Sequence, residues 1–431
     1  MRSPLDLSVF KDRRLILLSI MMFLEFFIWG CWFITTNNFL GENPGLNRVR
    51  PWIYSVIPIA AVISPLFLGI VADRFFASER VLGVMTLLAG AAMLGVALVA
   101  GKDGGSGDLR WLYFAFFLLH GLCYAPTLGL TNTVAFHNLT DQEKQFPIVR
   151  VFGTFGWIVA SGWIVSKLLH ADKSVMQYYL CSGACLALGI FSFFLPHTPP
   201  PAKGQKASAR AILGVDALSL MKNPSFAIFI IGSFLICIPL AAYFEYGSSF
   251  VEAAWFKDPG FVMSFGQVVE VVFMIAMPVF FAFLGVKWML MLGMLAWVVR
   301  YALFSAAAPA AIAWMIVIGI LLHGICYDFF FVTGFIYTDK RVGKQMRGQA
   351  QGLLVLVTQG LGMLMGVHLA HWLDKRILTG KGRDLLAQYQ QFWLVPCIMA
   401  AVVMIAFILF FKDDGKTARA EEAKEAEALA R

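Results

Sequence analysis

Long apolar runs alternate with short polar breaks along the whole chain. A helix crossing the apolar core of a bilayer needs roughly 20 predominantly apolar residues. On that rule the runs predict twelve spans: 14–37, 52–72, 80–100, 111–134, 148–168, 176–195, 226–250, 263–285, 287–306, 310–336, 348–370 and 388–411. The deepest polar break is 196–225. It opens Pro196-His197-Thr198-Pro199-Pro200-Pro201 and carries Lys203, Lys206, Arg210 and Lys222. Proline runs stop a helix, and the charges keep the segment in water. The pattern predicts an all-α membrane protein. A six-helix bundle over 1–195, a linker over 196–225, a second six-helix bundle over 226–411 and a polar tail over 412–431 are expected.

The two halves share words. Leu-His-Gly-Leu-Cys-Tyr at 119–124 returns as Leu-His-Gly-Ile-Cys-Tyr at 322–327, in a chain with only seven His and seven Cys. The repeats fall in spans 4 and 10, where a parallel six-plus-six duplication places them. Duplicated membrane halves are a common plan for secondary transporters, with substrate held between them. The second copy continues into Asp328, so one half has gained a carboxylate.

Composition agrees with the pattern. Hydrophobic residues make up 59% of the chain and charged residues 14%, against about 45–50% and about 25% in a soluble domain. The net charge of +8 does not point to nucleic acid, because the basic residues sit in short loops and build no basic face. Lys and Arg are in excess on one side of the predicted spans in both halves. The positive-inside rule therefore puts both termini in the cytoplasm. All seven Cys lie in apolar stretches without C-x-x-C pairs or His at metal spacing, and read as small buried hydrophobes. The first apolar run follows Lys11, Arg13 and Arg14 but has no small-residue cleavage site, so it reads as a span and not a signal peptide.

Six charged residues fall inside predicted spans: Glu25, Arg150, Glu245, Glu270, Arg300 and Asp328. Each costs at least ~2.5–3.5 kcal/mol at mid-bilayer and must face protein or a wet cavity. Spacing groups some of them. Arg150, Thr154 and Trp157 form one stripe at i, i+4, i+7. Gln267 and Glu270 share a helix face at i, i+3, and His323 and Tyr327 do so at i, i+4 with Asp328 next along. This mix of amide, hydroxyl, imidazole, ring and charge suits a flat polar ligand. An acid beside a movable Arg is also a minimal proton-coupling device, which makes Glu270, Asp328 and Arg150 the candidates for coupling. Arg300 is expected in a structural ion pair. Glu25 is open between lining a cavity and supporting packing, and Glu245 between cavity and solvent.

Several ordered motifs carry a resemblance. They are W-G-x-W at Trp29–Trp32, G-I-V-A-D at 69–73, P-T-L-G-L-x-N-T at Pro126–Thr133 and F-P-x-x-R-x-x-G-T at Phe146–Thr154. Q-x-x-E at Gln267–Glu270, R-x-A-L-F at Arg300–Phe304 and D-F-F at Asp328–Phe330 follow. Through nearly its whole length the chain resembles the nucleoside–proton symporters of the major facilitator superfamily, a bacterial inner-membrane family. The resemblance implies a cavity bounded by helices 1, 4, 7 and 10 and flanked by 2, 5, 8 and 11. It puts Arg150, Thr154, Trp157, Gln267, Glu270, Tyr327 and Asp328 near ligand. Gly69, Asp73 and Arg74 match the superfamily's G-x-x-x-D-R loop, a conformational latch. Two departures stand out. Where nucleoside carriers of the family place Gln and Asn on helix 7, this chain has Ala241 and Phe244, and His323 takes a position expected to be Tyr.

The expected function is therefore import of nucleosides with protons across the bacterial inner membrane by alternating access, in a monomer surrounded by lipid. No cofactor or metal is implied. A major facilitator carrier for another polar metabolite, a sugar or a cell-wall fragment, remains an alternative, as does a ligand sensor that has lost transport. A membrane enzyme is disfavoured, since no nucleophile–base pair or phosphate loop occurs at usable spacing.

Overall fold

A chain this apolar has few structural options, because backbone groups in hydrocarbon must be hydrogen-bonded within their own segment or a closed barrel. The computed structural model describes residues 12–67, 75–103, 105–200, 215–342 and 347–412, and among them every regular element is helical. The long helices are α1 (Arg13–Gly30), α2 (Arg50–Phe67), α3 (Ser78–Asp103), α4 (Arg110–Asn138), α5 (Gln142–Ile158) and α6 (Met176–Ser192). After a 3₁₀ turn at Val215–Lys222 come α7 (Pro224–Ala253) and the run Pro259–Ala307, which Gly285 at φ 68° breaks into α8 (259–284) and α9 (286–307). The last are α10 (Ala313–Lys340), α11 (Arg347–Ile377) and α12 (Arg383–Phe410). Nine helical stretches among the described residues are long and apolar enough to cross a membrane; Arg50–Ser64 and Met176–Ser192 are apolar but shorter.

Helix ends follow local chemistry. Asp12 accepts from the Arg14 amide at 2.9 Å and starts α1. Asn223 accepts from the Phe226 amide at 3.1 Å, with Pro224 as the first residue of α7. A side-chain oxygen at the cap and proline at the first position both suit amides that have no intrahelical partner. The first predicted span is shorter than expected. α1 ends at Gly30, and a turn leads into a separate short helix, Thr36–Glu42.

Three of the long helices change pitch. α5 widens into π turns over Val159–Leu168, α10 over Asp328–Val332 and α11 over Leu356–Gly362. Such turns add a residue per turn and rotate the faces that follow, and they recur at functional sites. α10 is also interrupted at Leu322, immediately before His323.

Helices before residue 200 pack on one another, α3 on α4 and α6, and α1 on α5 and α6. Those after 224 do likewise, α7 on α11 and α12, and α8 on α10. Two seams join the groups: α5 lies against α8, and α2 lies against α11. Small residues allow the closest approaches. A Cβ at Gly324 of α10 would stand 2.8 Å from the Glu270 amide nitrogen of α8, and one at Gly266 would stand 3.0 Å from the His323 Cβ. These contacts set His323 beside Glu270. Gly324→Val is expected to force α10 off α8 and destabilise the protein by about 1–3 kcal/mol. A thermal-unfolding series in detergent measures this, and an unchanged midpoint would show that the approach is not required.

Candidate functional site

Side chains from both seams converge on one chamber. α5 contributes Arg150, Thr154 and Trp157, and α8 contributes Gln267 and Glu270. The helical spacing read from the sequence therefore points these groups inward. α10 adds His323 and Tyr327. Of the remaining wall residues Phe26, Trp29 and Phe33, Tyr54 on α2 and Phe244 on α7 are aromatic, and the others are apolar except Gln359. Trp29 and Trp157 meet edge to face at 5.3 Å.

The charges in the chamber are sparsely paired. The Arg150 guanidinium carbon lies 4.1 Å from the centre of the Phe26 ring, and its Nη1 has no hydrogen-bond partner among the described residues. A cation over a ring face is attracted by the ring's quadrupole, which leaves polar capacity free for a ligand. Glu270 is 7% exposed, with its Oε2 3.8 Å from the His323 Nε2. That separation is too long for a hydrogen bond. His323 stacks on Tyr243 at 5.5 Å and 24°.

Seven of the eight candidate ligand residues thus share one wall system. Asp328 does not line the chamber. It begins the π segment of α10, is fully buried, and neither of its carboxylate oxygens has a hydrogen-bond partner among the described residues. It follows Tyr327, which does line the chamber, so it sits next to the wall on the same turn of α10. The latch candidates Gly69, Asp73 and Arg74 lie outside the described residues.

Of the other buried charges, Arg300 and Glu245 differ from their sequence reading, and Glu25 takes one of its two expected roles. Arg300 makes no ion pair with a carboxylate among the described residues. Its guanidinium lies 4.1 Å from the centre of the Tyr243 ring, and its Nε donates to the Gly319 carbonyl at 3.0 Å. A weakly hydrated planar cation can be accommodated by a ring face and a carbonyl in place of a carboxylate. Glu25 supports packing: it accepts from the Thr127 hydroxyl at 2.6 Å and is absent from the chamber wall. Glu245 is fully buried near Arg50 and is neither solvated nor in the chamber.

Packing also brings together groups that linear spacing keeps apart. His120 of α4 meets Cys181 and Cys185 of α6, with ligand atoms all within 4.8 Å of one another. The three are fully buried, and none lines the chamber. His120 Nδ1 pairs with the Ala89 carbonyl at 2.9 Å, and its ring stacks on Tyr124. This cluster belongs to helix packing. All seven Cys are free thiols.

Sequence reasoning missed the α2 and α11 wall: Tyr54, Ile57, Pro58, Gln359, Met363 and Val367. None is charged, so none carried a burial cost to flag it. Ala241 and Phe244 do face the chamber, so the α7 wall is apolar.

One face of the molecule is closed by polar links between the two groups of helices. Arg50 pairs with Asp374 at 3.3 Å, and Lys173 pairs with Glu252. The Asn37 amide donates to the Glu245 carbonyl at 2.5 Å, and the Ser248 hydroxyl donates to Asn38 at 2.6 Å. Asp258, between α7 and α8, receives Lys167 at 2.8 Å and His170 at 3.0 Å. The ion pairs Arg50–Asp374, Lys173–Glu252, Lys167–Asp258 and His170–Asp258 that cross between the groups are all on this face. The Lys167 hydrogen bond, against the effect of burial, holds the Asp258 carboxyl below its ordinary range. Burial pushes Asp172 the other way, despite hydrogen bonds from the Ser166 hydroxyl and the Gly260 amide. For Lys173 burial is outweighed by Glu252 and Glu42, so its ammonium is held above the usual value.

Comparison with known proteins gives a consistent picture. The family described as Nucleoside H+ symporter matches residues 14–416. The protein YegT of Escherichia coli (strain K12) is 36% identical over 405 residues, covering 92% of this chain and 93% of YegT. Xanthosine permease of the same organism is 30% identical over 422 residues, covering 92% of this chain and 95% of the permease. Among solved structures, a mutant of the nucleoside transporter NupG superimposes with a TM-score of 0.82 at 28% identity, covering 93% of this chain and all of that one.

The Asp258 links set a pH dependence. A carboxyl with a depressed native value adds stability that is present above its unfolded value, near 3.9, and lost as pH falls through the native one. Asp172 acts oppositely: the fold favours its protonated form, so its contribution is largest at low pH and fades as pH rises through the raised value. Asp258→Asn is expected to lower the unfolding midpoint by about 1–3 °C at pH 7, and the difference from wild type should shrink steadily as pH is lowered below about 4. A loss of equal size at every pH would mean that the charge is not what matters.

Proposed function

Because the chain belongs to the nucleoside H+ symporter family, we propose that it carries nucleosides inward with protons across the bacterial inner membrane, using the chamber between its seams as the binding site. The supporting observation is the convergence of Arg150 and Glu270 on one chamber between the helix groups, with Asp328 buried next to the wall residue Tyr327. Two carboxylates and one guanidinium give a net charge of −1 when all are ionised. One proton makes the set neutral. A neutral set is cheaper to enclose at bilayer depth than a charged one, so protonation favours the state in which the chamber is shut around substrate.

In this reading twelve helices span the membrane, both termini are cytoplasmic, and α1–α6 and α7–α12 are the two rocking units joined by residues 196–225. The closed face then looks outward, and the links at Arg50–Asp374 and Asp258 form the outer gate. Arg150, Gln267 and Glu270 bind polar substrate atoms. Thr154, Trp157, His323 and Tyr327 shape the pocket, and Asp328 shares the proton with Glu270. The protein works as a monomer in lipid. Gly69, Asp73 and Arg74 act as the latch on the inner side.

Rocking makes binding and release two faces of one equilibrium, and the coupling ion acts by shifting populations. Proteoliposomes loaded at pH 7.5 and placed at pH 6 with labelled uridine or adenosine test the coupling. The wild type should accumulate label above equilibrium. Glu270→Gln and Asp328→Asn should lose accumulation by 10-fold or more while keeping exchange of nucleoside across the membrane. Accumulation indifferent to the gradient would remove the proton from the mechanism. Strong competition by sugars, with none by nucleosides, would instead favour a different polar metabolite.

A further inference from the structure

The two seams that bound the chamber are chemically unlike. The α5–α8 seam presents Arg150, Thr154, Gln267 and Glu270, and the charged groups of the chamber wall are there. The α2–α11 seam presents Tyr54, Ile57, Pro58, Met363 and Val367, with a single amide, Gln359. The Tyr54 hydroxyl is already committed, since it donates to the Phe33 carbonyl at 3.1 Å. The Gln359 amide makes no hydrogen bond among the described residues, and it is half-buried. It sits in the π segment Leu356–Gly362, where the widened turn presents residues that a regular helix would rotate away. The helices are held close at this point: a Cβ on the neighbouring Gly360 would stand 3.0 Å from Val62 of α2. The amide is therefore carried on a rigid part of the wall.

We infer that Gln359 reads the heterocyclic base of the nucleoside, while the α5–α8 seam takes the sugar hydroxyls. This rests on the proposed nucleoside transport and deepens it by assigning an orientation and a specificity residue. A carboxamide offers one acceptor and one donor in a single plane, which complements the adjacent donor and acceptor on a base edge. Its surroundings suit a flat ring: Tyr54 and Phe244 are aromatic, and Ile57 and Met363 are apolar. The ribose carries only hydroxyls and a ring oxygen, and finds its charged and amide partners at Arg150, Gln267 and Glu270. The apolar α7 wall at Ala241 and Phe244 can contact a base face but cannot read its edge, which leaves that task to Gln359.

The test is binding to the purified full-length protein in detergent, with uridine, N3-methyluridine and methyl β-ribofuranoside as probes. The methyl group removes the base-edge donor, and the riboside has no base. Wild type should bind uridine about 10-fold more tightly than N3-methyluridine. In Gln359→Met, a substitution of similar size, uridine should weaken about 10-fold and the N3-methyl penalty should largely vanish, while competition by the riboside stays unchanged. Gln359→Ala should behave the same way, separating a volume effect from loss of the amide. A 10-fold N3-methyl penalty persisting in both variants would overturn the assignment, as would equal weakening of the riboside. Saturable uridine binding by wild type with neither variant affected would sink the Gln359 inference alone. No nucleoside binding by wild type would sink the underlying function as well.

Discussion

Charge at bilayer depth is the constraint from which the rest of this molecule follows. Arg150, Glu270 and Asp328 are too expensive to leave facing lipid, so the helices that carry them must pack with those groups inward. α5 brings the cation, α8 one carboxylate and α10 the other. Glycines at 266 and 324 let α8 and α10 approach until His323 and Glu270 are neighbours. What results is a chamber with Arg150 and Glu270 on its wall and a second acid, Asp328, buried off that wall, one guanidinium for two acids. That imbalance cannot be removed by packing, only by a proton or a ligand, and it links the site's chemistry to the shape of the protein.

The closed face is the second half of the device. Its exposed links, such as Lys173–Glu252, are individually weak, about 0–1 kcal/mol, while Arg50–Asp374 is mostly buried. Together they bias the equilibrium without locking it, as a carrier requires. A buried apolar interface of the same extent would hold the face shut more firmly and slow every cycle.

The fold was largely legible in the sequence, and the site partly so. Apolar run lengths placed the helices, and the cost of buried charge singled out Arg150 and Glu270. Helical spacing added Thr154, Trp157 and Gln267. The repeated words were a guide to architecture more than to chemistry: His120 is sealed against Ala89 and Tyr124 in one half, whereas His323 stands in the chamber wall in the other. Gln359 escaped notice because a neutral amide in an apolar run gives no energetic signal, and because the π turn that exposes it has no signature in residue spacing. Arg300 was noticed for the right reason and given the wrong partner. Sequence shows that a buried cation needs company, but not whether a carboxylate or the Tyr243 ring supplies it.

Symport of the kind proposed requires nucleoside and proton to meet at one charge-imbalanced chamber. Calorimetric titration of the purified protein with uridine, in buffers of different ionisation enthalpy and at a series of pH values from about 6 to about 10, tests this directly. At the alkaline end the observed binding heat should vary linearly with buffer ionisation enthalpy, with a slope that reports net uptake approaching roughly one proton per nucleoside bound, and the slope should fall as pH is lowered and the site is protonated beforehand. Saturable binding with the same heat in every buffer across the whole pH series would show that the ligand binds independently of a proton and would contradict the proposed symport.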